Sequence, residues 1–166
     1  MRKILATTFV VILMCVGASA ADLDIGTHAS FYYPPEGGGN TLMTGIDATY
    51  RIGPYLSIRG DLDNSSYQAA AHKYSMTSLA VTLIGHLLGA SMVDPYLGGG
   101  VGLYEKNTDG TVDSSTGLNA LAGIAIRFQT FNVGVEAKYV LPDTRHMETG
   151  FYTIGGNMTG GLHIDL

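Results

Sequence analysis

The segment "TGLNALAGIAIRFQTFNVGVEAKYVL" (residues 116–141) decides the fold, because both of its halves alternate between two kinds of side chain. Apolar residues occupy every second position of residues 118–128 and again of residues 131–141, and the positions between them are mostly small or polar. A period of two residues is typical of a β-strand whose two faces meet different surroundings. Gln129–Thr130 leaves room only for a tight turn, so the segment predicts an antiparallel β-hairpin.

The same alternation extends outward from this hairpin over most of the chain. Residues 79–88 leave a short buried helix open as an alternative, but the β-branched Val81, Thr82 and Ile84 favour a strand there. A length of about 10 residues suits a tilted strand that crosses a bilayer. The further predicted strands, which bring the total to eight, are residues 22–33, 41–52, 55–63, 77–87, 95–104 and 152–166.

The predicted connections alternate between short and long. Gly53–Pro54, Gln129–Thr130 and residues 89–94 are short, whereas residues 64–73 and 105–115 are predicted to be longer polar loops. Short turns at one end and longer loops at the other are typical of up-and-down outer-membrane barrels. The loops are acidic and leave a surface partner open. Their acidic residues are Glu36, Glu105, Asp109, Asp113, Asp143 and Glu148.

The stretch "PYLGGGVGLY" (residues 95–104) is unusually rich in glycine for a strand. It lacks the Lys-Ser/Thr pair of a P-loop, and Leu103 stands where the dinucleotide-binding pattern needs its third glycine. We therefore interpret the stretch as a strand rather than a phosphate-binding loop. Its missing side chains would leave space inside a barrel for long groups from other strands, such as Arg127 or His86.

The two faces of the predicted strands differ in charge. One face is aliphatic and aromatic, with aromatic residues such as Phe31 and Tyr152 near the strand ends, where the interfacial girdles of membrane barrels lie. The other face carries both signs of charge. In a soluble calyx the charged face would lie outside, and in a membrane barrel it would line the lumen.

An eight-stranded lumen is only wide enough to be filled by side chains, and charges buried there must be paired. Opposite charges on adjacent strands, such as Arg51 with Asp61 and Arg127 with Glu136, favour the membrane barrel. The sequence thus predicts a lumen ion-pair network. Its predicted members are Asp24, Asp47, Arg51, Arg59, Asp61, Asp63, Arg127, Glu136, Lys138 and Asp165.

Residues 1–20, "MRKILATTFVVILMCVGASA", have the basic start, apolar run and small-residue end of a secretory signal peptide. Cleavage after Ala20 leaves residues 21–166 as a single barrel domain. The only cysteine, Cys15, leaves with the leader, which excludes disulfides, thiol nucleophiles and cysteine-ligated zinc. The formal net charge of −5 becomes more negative without the leader, and an acidic chain is a poor nucleic-acid binder.

The chain resembles the small eight-stranded outer-membrane β-barrels, similar to the OmpA transmembrane domain and the opacity-type proteins. The resemblance rests on the signal peptide, on residues 94–104 and 123–141, and on the terminal "GLHIDL" (residues 161–166). It implies an all-β, eight-stranded antiparallel up-and-down transmembrane β-barrel in the bacterial outer membrane, in contact with its lipid. It also implies insertion by the outer-membrane assembly machinery through the C-terminal strand, although Leu166 stands where the family usually ends in an aromatic residue.

The histidines are the candidates for catalytic chemistry. A Ser–His–carboxylate device, as in lipid-modifying barrels, would need His146 with Glu148, or His72 with Ser75, and neither segment matches such a motif. The pair His146 and Glu148 lacks a third ligand for a metal. On the polar face, His28, His86 and His163 are predicted to be lumen hydrogen-bonding groups.

The sequence therefore predicts a non-enzymatic outer-membrane barrel, with no cofactor or metal, a structural or surface-interaction role and a polar lumen filled by side chains. A small pore or carrier for ions or hydrophobic molecules stays open as an alternative, because the lumen charges could also line a narrow channel. A lipid-modifying outer-membrane enzyme and a soluble periplasmic calyx are further alternatives, the last requiring the opposite sidedness.

Overall fold

The chain folds into a closed barrel of eight antiparallel strands, each paired with the next and β1 paired with β8. This computed structural model describes residues 23–33, 40–69, 72–89, 91–144 and 150–162. The strands are β1 (Leu23–Tyr33), β2 (Thr41–Arg51), β3 (Leu56–Ala69), β4 (His72–His86), β5 (Val93–Thr108), β6 (Thr111–Arg127), β7 (Phe131–Leu141) and β8 (Phe151–Leu162). None of the described residues forms a helix long and apolar enough to span a bilayer.

The predicted fold class is confirmed, including the strand rather than a helix at β4. The apolar face points outward, with Phe31 58% and Val135 65% exposed, whereas Asp61 and Asp94 inside the barrel are each 1% exposed. This sidedness is the reverse of a soluble calyx and suits an apolar solvent around the barrel. The proposed leader, residues 1–20, and Asp165 lie outside the described residues.

Two predicted loops are instead continuations of strands. β3 and β4 stay paired up to Ala69 and His72, and β5 and β6 stay paired up to Thr108 and Thr111. The prediction of longer loops at residues 64–73 and 105–115 is therefore wrong. In the β3–β4 extension the outer face is polar and the inner face carries Tyr67 and Met76, and in the β5–β6 extension both faces are mostly polar, so the apolar outer face that identifies the other strands is missing in both.

The β5–β6 hairpin closes on a two-residue turn. Asp109 has φ 51° and Gly110 has φ 94°. Positive φ at both central residues is typical of a type I′ turn, whose twist matches that of the flanking strands. The Asp-Gly pair supplies the two residue types that adopt this conformation most readily, which is why the hairpin needs no longer loop.

The two ends of the barrel differ. The short-turn end carries the β2–β3, β4–β5 and β6–β7 connections, and the projecting end is where the β3–β4 and β5–β6 hairpins extend beyond the other strands. Outward-facing aromatic pairs lie near both ends. The rings of Phe128 and Phe131 stack at the short-turn end with their centroids 4.6 Å apart, and the ring centroids of Tyr139 and Tyr152 lie 4.9 Å apart near the projecting end. These are the positions of interfacial aromatic girdles.

The glycines of β5 serve close packing. A Cβ on Gly100 would lie 2.7 Å from the Cα of Thr82, so β5 can approach β4 this closely only without a side chain. A Cβ on Gly98 would meet Leu121, and one on Gly102 would meet the ring of Tyr104. The space is therefore not filled by Arg127 or His86, as the sequence suggested. The nearest groups are the β4 backbone and other side chains.

At the projecting end the lumen is filled by an apolar cluster rather than by charges. Tyr32 packs edge-on against Phe151 at 4.7 Å, and Tyr67 stacks on Tyr74 at 5.0 Å. The cluster separates the charged interior from this end of the barrel. Its buried members are Tyr32, Met43, Tyr67, Met76, Tyr104, Val140 and Phe151.

Candidate functional site: the charged lumen

An ion pair crosses the middle of the lumen. Arg59 Nη1 and Nη2 donate to the two carboxylate oxygens of Glu136 at 2.7 and 2.9 Å. Arg59 lies on β3 and Glu136 on β7, which stand on opposite sides of an eight-stranded ring. The hydroxyl of Tyr96 also donates to Glu136, at 3.0 Å. This two-pronged geometry is the strongest that an arginine and a carboxylate can form.

Further charges surround this pair and form with it the mid-lumen network. Lys138 Nζ lies 3.7 Å from Asp61 and 3.6 Å from Asp63. His28 bonds to Asp63 and lies 3.4 Å from Asp47. Since these groups are largely buried, each depends on its partners for the interactions that water would otherwise supply. The network comprises His28, Asp47, Arg59, Asp61, Asp63, Glu136 and Lys138.

A second group of charges, the mouth cluster, lies at the short-turn end. Arg51 donates to Asp24 at 3.3 Å, and Arg127 pairs with Asp94. Asp94 also accepts a hydrogen bond from His86 at 2.7 Å. The mouth cluster comprises Asp24, Arg51, Ser57, His86, Asp94 and Arg127.

The two pairings named from the sequence, Arg51 with Asp61 and Arg127 with Glu136, are wrong. The strand register explains the difference, because Arg51 lies opposite Ser57 and Arg127 opposite Asn132. Each arginine is therefore displaced along the barrel from the carboxylate expected beside it. The turns fix this register, and alternation alone does not reveal it.

The predicted lumen residues that the structure describes all lie on the inner face, and Asp165 lies outside the described residues. Sequence reasoning missed Asp94, because it directly precedes Pro95 and was assigned to a turn. A period of two residues counted back from Tyr96 would have placed Asp94 on the polar face. Ser57 was also missed, since a serine on a polar face carries no signal of its own.

At least two small voids remain between these side chains in the described part of the chain. One, of about 20 Å³, lies beside His28 and Lys138, and the other, of about 50 Å³, lies in the mouth cluster. A void of this size holds one to a few water molecules. Among the described residues, no group of three or more His, Cys, Asp or Glu side chains is arranged to hold a metal ion.

The loop histidines weighed as enzyme candidates have other surroundings. His72 and Ser75 lie on opposite faces of β4, since they are an odd number of residues apart, and so cannot form a Ser–His pair. His72 instead bonds to Asp109 at the tip of the next hairpin. This bond, together with one from the backbone N–H of Lys73 at 2.9 Å, lowers the pKa of Asp109. His146 and Glu148 lie outside the described residues.

Comparison with known proteins yields relatives by structure alone. No family model and no curated protein sequence matches the chain. Neisserial surface protein A is 20% identical, with a TM-score of 0.63 over 87% of this chain and 96% of its own. The outer membrane protein OprG from Pseudomonas aeruginosa is 14% identical, with a TM-score of 0.65 over 90% of this chain and 99% of its own.

The outer membrane enzyme PagL has the same architecture. It is 13% identical, with a TM-score of 0.54 over 82% of this chain and 97% of its own. At these identities the likenesses establish the fold alone, which is that of the small eight-stranded outer-membrane barrels. Because an enzyme is among them, the fold by itself does not separate a catalytic from a structural role.

Proposed function

We propose that the chain is a non-enzymatic barrel of the bacterial outer membrane, with a structural or surface-interaction role and a lumen closed by side chains. Its apolar outer surface and its likeness to outer-membrane proteins support this location. Export would use residues 1–20 as a leader cleaved after Ala20, and insertion would use the C-terminal strand. N-terminal sequencing of protein from isolated outer membranes, expected to begin at Ala21, tests the leader.

The observation that carries the closed lumen is the ion pair between Arg59 and Glu136. It joins opposite walls of the barrel in the middle of the lumen, and the apolar cluster fills the lumen between this pair and the projecting end. An ion would have to break a buried, two-pronged pair and displace packed rings to pass. Each of these steps costs several kcal/mol, so the structure opposes the passage of ions through the lumen.

A surface-interaction role is supported by the projecting end. The strands β3 to β6 are 14–17 residues long, against 11 or 12 in the other four, so their hairpins extend beyond the described ends of those strands. The hairpin of β5 and β6 carries Glu105 and Asp113 on strands that are stiffened by ladder hydrogen bonds, and Asp109 in the turn between them. A rigid, polar and mostly acidic projection is suited to contact a partner outside the membrane.

Planar-bilayer recording of the refolded, full-length protein tests the closed lumen. We expect no discrete single-channel steps from the wild type, and we expect steps to appear when Arg59→Ala and Glu136→Ala are combined with Tyr32→Ala and Phe151→Ala, which open the apolar cluster. Steps in the wild type would overturn the plug and favour the pore. Heat-modifiable gel mobility verifies that each sample is a folded barrel, and a protein soluble without detergent would overturn the membrane location.

A further inference from the structure

Three side chains of the mouth cluster form a hydrogen-bonded chain. Ser57 Oγ lies 2.8 Å from His86 Nε2, and His86 Nδ1 lies 2.7 Å from Asp94 Oδ2. All three are buried, Ser57 completely. They come from three consecutive strands, β3, β4 and β5, so no flexible loop is needed to bring them together.

The register of these strands explains the arrangement. Ser57 lies opposite Ile84, which places His86 on the diagonal of the same inner face, and His86 lies opposite Tyr96, which places Asp94 on the next diagonal. Diagonal neighbours on one face are within reach of long side chains. The backbone N–H of His86 also donates to the carbonyl of Tyr55 at 2.9 Å, which holds the end of β4 in place.

The hydrogen bonds assign a chemical role to each group. Asp94 is an acceptor, so Nδ1 of His86 carries the proton and Nε2 is left with a lone pair that accepts the hydroxyl proton of Ser57. A serine, a histidine oriented in this way and a buried carboxylate are the parts of an activated nucleophile. Arg127 also pairs with Asp94, and its Nη2 lies 3.4 Å from Nδ1 of His86. Its positive charge therefore weakens the attraction between the Asp94 carboxylate and the histidine.

The void of about 50 Å³ adjoins this chain. It is lined by Ser57 and His86, by Arg51 and Arg127, whose side chains are 17% and 14% exposed, and by Asp24 and Asp94, with which these arginines pair. The Nε of Arg127 is buried without a hydrogen-bond partner. Cationic donors beside a serine can stabilise the negative oxygen that forms when the serine attacks a carbonyl.

We propose that Ser57, activated by His86 and Asp94, is a latent nucleophile that accepts the acyl group of small esters entering from the short-turn end. Ester hydrolysis at Ser57 would be an additional chemical activity and so amends the non-enzymatic part of the proposed function, whereas a negative result in its test leaves the structural role and the closed lumen standing. The void itself holds only one to a few water molecules, so even a small ester enters only when Arg51 and Arg127 move aside. A lipid acyl chain is excluded, because Ser57 faces the lumen and the lipid contacts the opposite face of the strand.

The reaction would proceed in two balanced steps. Ser57 Oγ attacks the ester carbonyl while Nε2 of His86 takes its proton, and the bond to the alcohol then breaks as His86 returns the proton to the leaving oxygen. The products are acyl-Ser57 and the free alcohol. Water attacks the acyl group in the same manner, which releases the acid and restores Ser57.

A fluorophosphonate probe tests the nucleophile in the full-length protein folded in detergent micelles. Attack by Ser57 would expel fluoride and leave a phosphonate on the tryptic peptide of residues 52–59, in which Ser57 is the only serine. We expect this adduct by mass spectrometry in the wild type and its absence in Ser57→Ala. Labelling will be slow, because Arg51 and Arg127 must move aside to admit the probe.

Ser65→Ala is the matched control, since Ser65 is a buried, inward-facing serine on the same strand without a histidine partner, and its variant should label like the wild type. In His86→Gln the labelling rate should fall about 100-fold or more, the effect of losing a general base. Hydrolysis of p-nitrophenyl acetate should fall in parallel.

The proposal is overturned if the folded wild type gives no adduct on residues 52–59, or if the adduct lies on Tyr55 instead of Ser57. It is also overturned if His86→Gln labels at the wild-type rate while retaining heat-modifiable mobility. Should a variant fail to fold, labelling of the wild type before and after unfolding in urea decides the question. An activated serine loses its reactivity on unfolding, and an ordinary one does not.

Discussion

The contacts of the mid-lumen network predict that losing Arg59 destabilises the barrel more than losing the negative charge of Glu136, to which Arg59 is bound. Arg59 bonds to Glu136 through two nitrogens, and its Nε lies 3.0 Å from Asp61. In Arg59→Met both carboxylates lose their nearest cation, and Asp61 retains only Lys138, at 3.7 Å. The network holds four carboxylates against Arg59, Lys138 and His28, so it already carries more acidic than permanently cationic groups.

The magnitudes follow from these contacts. Removing one partner of a buried ion pair costs about 3–5 kcal/mol, and Arg59→Met should reach this range, because it leaves two buried carboxylates poorly compensated. Glu136→Gln keeps an oxygen that accepts from Arg59 and removes one negative charge from an acidic cluster. Its cost should therefore be smaller, about 1–3 kcal/mol, as for the loss of a charge-assisted hydrogen bond.

Urea unfolding in detergent or lipid, followed by circular dichroism and by heat-modifiable mobility, measures these differences. The chain has no tryptophan, so the usual fluorescence signal is missing. Lys73→Met, on the exposed part of the β3–β4 hairpin, is the matched control and should change stability by less than about 0.5 kcal/mol. Equal stability of all three variants, or a larger loss in Glu136→Gln than in Arg59→Met, would refute the reasoning.

Three further predictions concern the strands and the projecting end. Gly100→Val should lower the free energy of unfolding by about 3 kcal/mol or more, because the new side chain forces β5 away from β4. Gly99 faces outward, and a Cβ there would lie 3.7 Å from the nearest atom, the carbonyl oxygen of Asn119. The Gly99→Ala variant should therefore show the heat-modifiable mobility of a folded barrel. The two hydrogen bonds that lower the pKa of Asp109 stabilise the hairpin tip at any pH above the ordinary pKa of a carboxyl group. This stabilisation is lost as the pH falls through the lowered pKa. A carbon NMR titration should show a higher pKa of Asp109 in His72→Ala than in the wild type. Gly110→Val should fray the same tip, because φ of 94° strains a side chain, and limited proteolysis should then cut there, unlike in the wild type.

Alternation in the sequence was sufficient to predict the architecture. Every strand that contacts apolar surroundings on one face and the lumen on the other has a period of two, as in residues 131–141, and the outward position of Val135 follows from it. The prediction failed where that contrast ends. At the ends of the β3–β4 and β5–β6 hairpins the outer face is mostly polar, although Tyr67 and Met76 still point inward on the first, and only the Asp109–Gly110 pair signalled a two-residue turn.

The lumen contacts were less predictable than the lumen residues. The alternation of every second residue in the sequence shows which side chains point inward. The contacts between those side chains depend also on the register and the tilt of the strands. Arg127 was placed correctly on the inner face and given the wrong partner, because its pairing with Asp94 involves the neighbouring strand β5 rather than β7. The Ser57–His86–Asp94 chain follows from two diagonal relations that need both registers at once.

The ion pair between Arg59 and Glu136 also has a consequence for the order of folding. Its two residues are 77 positions apart in the sequence and lie on strands that are not hydrogen-bonded neighbours. Neither charge can reach the other until the ring of strands has nearly closed, so an open, partly inserted sheet would expose unpaired charges to lipid. The charges therefore keep an incomplete sheet at the water interface, and insertion and closure become a single slow, cooperative event dominated by long-range contacts.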